Sequence, residues 1–224
     1  MRPELRARLQ RLLYRAEEVA RDARTIRSGD PMAARFAEFG AGAMVDWPQV
    51  ALINPGSIAV GRNVHIRSGV CLEALAPAGT VIIRFGDDVQ VGYGVRMVAV
   101  NGIEVAPEVA IGHGATLADT IHDWKNVGEE GIRWQAPLKT GRPMRIERGA
   151  WIGNNTVATG GITIGAHAIV APNSVLSRSV PADSIVAGNP AQLQRVRLPD
   201  GTWKWLVDPD SLDLEAQAAA ERQG

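Results

Sequence analysis

Residues 146–181 read IERGAW IGNNTV ATGGIT IGAHAI VAPNSV LSRSVP, six blocks of six. An aliphatic residue, or Ala158, opens each block. Four places later stands a small or aliphatic residue: Ala150, Thr156, Ile162, Ala168, Ser174 and Val180. The same phase runs upstream, with openers at Val60, Ile66 and Leu72, at Phe85, Val91 and Met97, and at Val105, Ile111 and Leu117. Of these 15 openers Ala158 alone is not large and apolar. An amphipathic helix repeats its apolar residues at three and four, and a half-buried strand alternates strictly. A period of six sustained over this length fits neither and predicts a parallel β-helix, each hexad one short strand and a turn.

Three hexads make a triangular coil. The opener points inward and stacks on its equivalents above and below, and the fifth residue fits near a corner. Gly61, Gly86, Gly92, Gly112, Gly153 and Gly165 follow openers, where the backbone turns or packs tightly. Fifteen hexads predict five coils. A single coil cannot bury its own apolar face, so stacking supplies the core.

The rest of the composition narrows the function classes. The chain has 224 residues, 46% of them hydrophobic, and 24 basic against 24 acidic side chains. This balance gives no electrostatic case for nucleic acid. No apolar run reaches the length of a membrane span, and the N-terminus is too charged for a signal peptide. The one cysteine, Cys71, excludes an intrachain disulfide and a cysteine metal cluster. A cytoplasmic protein without stable membrane insertion is expected.

Three regions are predicted: an N-terminal amphipathic helix within 1–30, a β-helix over 31–190, and a C-terminal extension over 191–224. Across residues 2–28 Leu5, Leu9, Leu12, Leu13, Ala16, Val19, Ala20, Ala23 and Ile26 form a stripe at helical spacing, among eight arginines and four acids. Packing on the first coil or on a neighbouring subunit is the expected role of this helix; lying on a membrane surface is the alternative. Residues 29–57 read as a loop leading into irregular first strands. The repeat is interrupted by one extra residue between Leu72 and Phe85, by two between Met97 and Val105, and by the polar loop 123–145. A loop this long in a compact solenoid is usually functional. After the repeat a loop, a short helical or extended stretch and a hairpin turning at Asp200-Gly201 are expected, then a helical tail from Asp210.

The Trp-Ile-Gly hexad at 151–153, the run SVLSRSVP at 174–181 and the closing loop VAGNPA at 186–191 resemble, in combination, the hexapeptide-repeat O-acetyltransferases of galactoside, maltose and polysaccharide type. The resemblance covers about residues 55–197. It implies a left-handed parallel β-helix, a homotrimer, and acetyl-CoA as co-substrate in a groove between subunits, with a histidine as general base on a sugar-like acceptor hydroxyl. No metal is expected.

The same resemblance distributes roles. His122, closing LADTIH just before the long loop, takes the position of the catalytic base; an imidazole of near-neutral pKa suits removal of an alcohol proton. Asp119, three residues earlier, either orients that imidazole or caps a turn. Asn101, a polar amide at a fifth position, falls near an acceptor contact, with a corner turn as its other reading. Trp151 matches a tryptophan beside the acceptor. For acetyl-CoA, Asn154 approaches the pantetheine arm and Gly160 with Gly161 permits close backbone approach. Pro172 replaces a residue whose N–H would donate to CoA. Ser177 and Arg178 take the place of a pair that contacts the adenine and 3′-phosphate, and Arg195 matches a terminal arginine of similar role. Gln192 replaces a second arginine.

Other readings remain at this stage. N-acetylation of an amino sugar or other amine uses the same repeat. A γ-type carbonic anhydrase needs three zinc-binding histidines, and the spacing of His113 and His122 does not match that pattern. A non-catalytic trimeric scaffold needs none of these side chains.

Overall fold

The structure is a computed structural model that describes residues 3–77, 79–121 and 141–206. Short strands wind into a left-handed parallel β-helix of six coils with three walls. In chain order each coil contributes to wall 1, then wall 2, then wall 3. Wall 1 stacks Glu38–Phe39, Ile58–Val60, Ile83–Phe85, Ile103–Val105, Met144–Ile146 and Thr163–Ile164. Wall 2 stacks Met44–Val45, His65–Ile66, Gln90–Val91, Ala110–Ile111, Trp151–Ile152, Ile169–Val170 and Ser184–Gly188. Wall 3 stacks Ala51–Ile53, Cys71–Ala74, Arg96–Ala99, Thr116–Ala118, Val157–Thr159 and Val175–Leu176.

The strand register is the hexad register. On wall 3 Leu72 pairs with Met97, Met97 with Leu117, Leu117 with Ala158 and Ala158 with Leu176. All fifteen openers are buried. Burying one such aliphatic side chain stabilises the fold by about 1.5–3 kcal/mol, so this column is the main cohesive element. The six fifth positions from Ala150 to Val180 are buried too, and the polar ones are satisfied: Ser174 Oγ donates to Ala171 O at 2.7 Å.

The corners follow a rule absent from the sequence reading. Three residues after each wall-1 opener the backbone is left-handed, at Asn63, Asp88, Glu108, Gly149 and His167, and so it is at Asp183, three after Val180, which bridges to Ile164; φ lies between +49° and +67°. That region favours Gly, Asn and Asp. His167 is therefore a corner residue. The glycine after an opener serves close packing: a Cβ built on Gly153 would stand 2.5 Å from Pro172 N in the next coil.

Four expectations are adjusted. The coils number six, because residues 38–53 form a complete first coil where a loop with irregular strands was expected. The helix α1 spans Pro3–Arg24, and Ile26–Arg27 pairs antiparallel with Met44–Val45. None of α1's side chains is buried, so it does not pack on the first coil. Met144 and Arg145, assigned to the long loop, already belong to a strand of wall 1. At the other end Ser184–Gly188, Ala191–Arg197 and Trp203–Trp205 form an antiparallel extension, with the expected turn held by Gly201 N–H to Leu198 O at 2.8 Å. The tail from Asp210 lies outside the described residues.

Candidate acyl-transfer site

From Val60 onward the three interruptions of the repeat all emerge at one edge, where wall 3 passes into wall 1. Residues 75–82, 100–102 and 119–143 all connect those two walls. Insertions there leave the stacked openers untouched, because the strand register resumes on the next wall.

Asp119 organises this edge. Its side chain is buried, and its carboxylate accepts Val100 N–H at 2.9 Å and Asn101 N–H at 2.7 Å, as well as Gly102 N–H. A carboxylate taking three backbone N–H groups satisfies donors of the coil below that bend out of the sheet ladder. Asn101 reciprocates. Its Nδ2 donates to Asp119 O at 3.3 Å, and its Oδ1 accepts Gly141 N–H at 2.7 Å. The amide thus ties together the outgoing and returning ends of the segment 122–140. Gly161 of the next coil backs the returning end, leaving no room for a Cβ beside Arg142 O. Gly160 is left-handed at φ +83° with open space beside it. His122 lies outside the described residues; Ile121, its neighbour, is exposed.

The same edge ends in a groove of about 380 Å³ between the last coil and the C-terminal extension, lined by Ser177, Arg178, Pro190, Gln192 and Leu193 among others. Arg178 forms no ion pair among the described residues. Arg195 stands two residues beyond the groove lining, with its guanidinium stacked 3.3 Å from the centre of the Trp205 ring.

The structure therefore brings Asn101, Asp119, Gly160, Ser177 and Arg178 to one edge. It places Asn154, Pro172 and Trp151 elsewhere. Asn154 and Pro172 lie on the opposite edge of wall 3, where wall 2 passes into it. There Asn154 Oδ1 accepts His113 N–H at 2.9 Å, and His113 Nδ1 accepts Tyr93 N–H at 2.9 Å. Trp151 projects half-exposed from wall 2, between Ala110 and Ile169. Of the two readings of Asn101, its observed contacts are those of the corner turn; the partner Gly141 was not foreseen. Among the described residues no group of three His, Cys, Asp or Glu side chains is placed to hold a metal ion, and no helix is long and apolar enough to cross a membrane.

A triangular solenoid wound from hexads, with one arginine in the groove at its end, fits the hexapeptide-repeat transferases. The family model Bacterial transferase hexapeptide (six repeats) matches residues 143–178. Nodulation protein L of Rhizobium leguminosarum bv. viciae is 37% identical over 150 residues, covering 60% of this chain and 75% of that protein. The Putative lipopolysaccharide biosynthesis O-acetyl transferase WbbJ of Escherichia coli K12 is 27% identical over 144 residues, 62% of this chain and 72% of that one. Among solved structures, AntD, an N-acyltransferase from Bacillus cereus in complex with dTDP and 3-hydroxybutyryl-CoA, superposes with a TM-score of 0.63 at 17% identity, over 86% of this chain and 95% of that one, and shares the fold. The chain belongs to the hexapeptide-repeat acyltransferase family, and its class of reaction is acyl-CoA-dependent acyl transfer.

Proposed function

We propose that this protein transfers an acetyl group from acetyl-CoA to a hydroxyl of a sugar-like acceptor, with His122 as general base, in a groove shared between subunits of a homotrimer. The observation that carries the reading is the Asp119–Asn101–Gly141 clamp. It fixes both ends of the segment that begins at His122, on the edge whose far end is the groove holding Ser177 and Arg178.

In this reading the acceptor oxygen attacks the thioester carbon as the His122 imidazole takes its proton. The tetrahedral intermediate collapses, the C–S bond breaks, and the imidazolium returns the proton to the departing CoA sulfur. The ester and free CoA leave, and no covalent enzyme intermediate forms. Arg178 suits the 3′-phosphate end of CoA because its planar fork forms paired, charge-assisted bonds.

The trimer is supported by the placement of the candidate residues. Asn154 and Pro172 stand on one edge of wall 3, and Asn101 and Ser177 stand on the other. A second copy set beside one edge brings the two sets into a common groove. The walls differ in character as well. Wall 1 carries surface ion pairs, Arg84 to Glu38 at 3.2 Å and Arg145 to Glu104 at 3.0 Å. The outward columns of walls 2 and 3 include Ala110, Trp151, Ile169, Val98, Val157 and Val175, with one Arg96–Glu73 ion pair at 2.8 Å on wall 3. A heterologous contact closed by threefold rotation uses the less charged walls.

The test is CoA release from acetyl-CoA against a panel of sugars, amino sugars and amino alcohols, with product analysis for ester or amide. Ester product and a mass in multiples of three chains support the reading. An amide product assigns the amine alternative, and a stable active monomer removes the shared groove.

A further inference from the structure

The helix α1, Pro3–Arg24, is left without a partner. None of its side chains is buried, and Leu12, Leu13 and Val19 are 65%, 63% and 68% exposed. The helix is nonetheless attached at a defined joint. Arg24 lies 4.7 Å over the Trp47 ring, and Trp47 N–H donates to Thr25 Oγ1 at 3.4 Å. Its apolar residues at 5, 9, 12, 16, 19 and 23 are spaced alternately by four and three. That is the a/d spacing of a coiled coil, with Leu9, Ala16 and Ala23 at a, and Leu5, Leu12 and Val19 at d. A lone solvated helix needs no such stripe, and exposing it costs solubility.

We infer that α1 packs antiparallel against α1 of a second copy of this chain. Three features select the second copy and this direction. In the antiparallel register each a residue faces a d residue: Leu9 against Val19, Ala16 against Leu12, and Ala23 against Leu5. Small then meets large in two of the three layers, whereas parallel packing stacks Ala16 on Ala16 and Ala23 on Ala23. Second, Leu13 lies outside the a/d seam at an e position. Antiparallel packing brings e beside e near the twofold axis, so Leu13 meets Leu13 of the second copy, whereas parallel packing leaves it under an arginine stem. Third, the g positions Arg8 and Asp22 face each other across the antiparallel pair twice, against a single Arg15–Arg15 approach at the centre. Opposite charges at flanking positions set partner and direction. Asp22 already holds Arg27 at 2.5 Å in its own chain, so the contact with Arg8 extends an existing charge cluster.

The inference does not depend on the acyl-transfer chemistry. Applied to rings of three, it joins two rings end to end. Light scattering on the full chain and on Leu12→Glu tests it, with thermal unfolding as the check on the solenoid. Leu12 makes no buried contact within its own chain, so the solenoid of Leu12→Glu stays folded and its assembled mass falls to half. In full-length chains oxidised under copper phenanthroline, Leu13→Cys forms a disulfide-linked dimer and Leu5→Cys does not. Equal linkage of Leu5→Cys overturns the antiparallel arrangement. Unchanged mass with no linkage at either site overturns helix pairing, and binding of the parent but not Leu12→Glu to phosphatidylglycerol vesicles then assigns a membrane surface. A fall from two chains to one keeps the helix pairing and removes the trimer, so the two readings fail separately.

Discussion

Asp119 and Asn101 hold each other in both directions: the Asp119 carboxylate accepts Asn101 N–H at 2.7 Å, and Asn101 Nδ2 donates to Asp119 O at 3.3 Å. The pair links the coil that carries residues 96–99 to the coil that sends out segment 122–140. Asp119 was expected either to orient the base or to cap a turn, and its observed contacts are those of the turn. Asp119→Ala leaves three N–H groups at this buried position without an acceptor and should cost about 2–4 kcal/mol in urea unfolding. Asp119→Asn keeps one acceptor oxygen and should cost less. A fall in kcat with unchanged stability in both variants would instead place Asp119 on the imidazole.

Coil stacking predicts a steric cost at Gly153. Its missing Cβ is what admits Pro172 N of the next coil. Gly153→Ala should destabilise by about 1–3 kcal/mol, as overpacking does in tight interiors. Thermal unfolding reads this directly, and an unchanged midpoint would show that the coils can separate at no cost.

Burial pushes the Cys71 thiol up to about 11, helped by its contact with Glu73 Oε1 at 2.9 Å. The folded state therefore holds this proton more tightly than the unfolded chain, whose thiol ionises near 9.0. Stability from this group is full below pH 9.0 and falls as pH rises from there to about 11. Native protein at pH 8 should resist iodoacetamide, and protein in urea should react at the rate of a free thiol. Equal rates would contradict the burial of Cys71.

Arg178→Ala should raise KM for acetyl-CoA more than it lowers kcat, because phosphate binding is remote from the carbonyl and uniform between ground and transition states. The dephospho-CoA thioester should be used nearly equally by parent and variant. A variant that still prefers the 3′-phosphate shows that another group reads it.

The repeat was legible because every opener is an inward aliphatic whose identity shows its direction. The first coil was not, since Pro48 and Pro55 interrupt Met44–Val45 and Ala51–Ile53, and the spacing there departs from six. The corner rule was hidden because Asn63, Asp88, Glu108 and His167 share a backbone angle rather than a side-chain type. At the site, the family resemblance singled out Asn101, Asp119, Gly160, Ser177 and Arg178, which stand along one edge. It did not show that Asn154 and Pro172 stand on another, because the hexad period is blind to which corner a residue occupies. The role of Asn101 depended on Gly141, 40 residues away, and no local pattern carries that pairing.

The most direct test of the central claim is the pH dependence of acetyl transfer by parent and His122→Ala, once an acceptor is in hand. The parent kcat/KM should rise through one ionisation near the ~6.5 of a free imidazole. His122→Ala should lose roughly two to four orders of magnitude in kcat, with the rise abolished and acetyl-CoA binding retained by calorimetry. Near-parental turnover with the same pH profile would contradict His122 as the base.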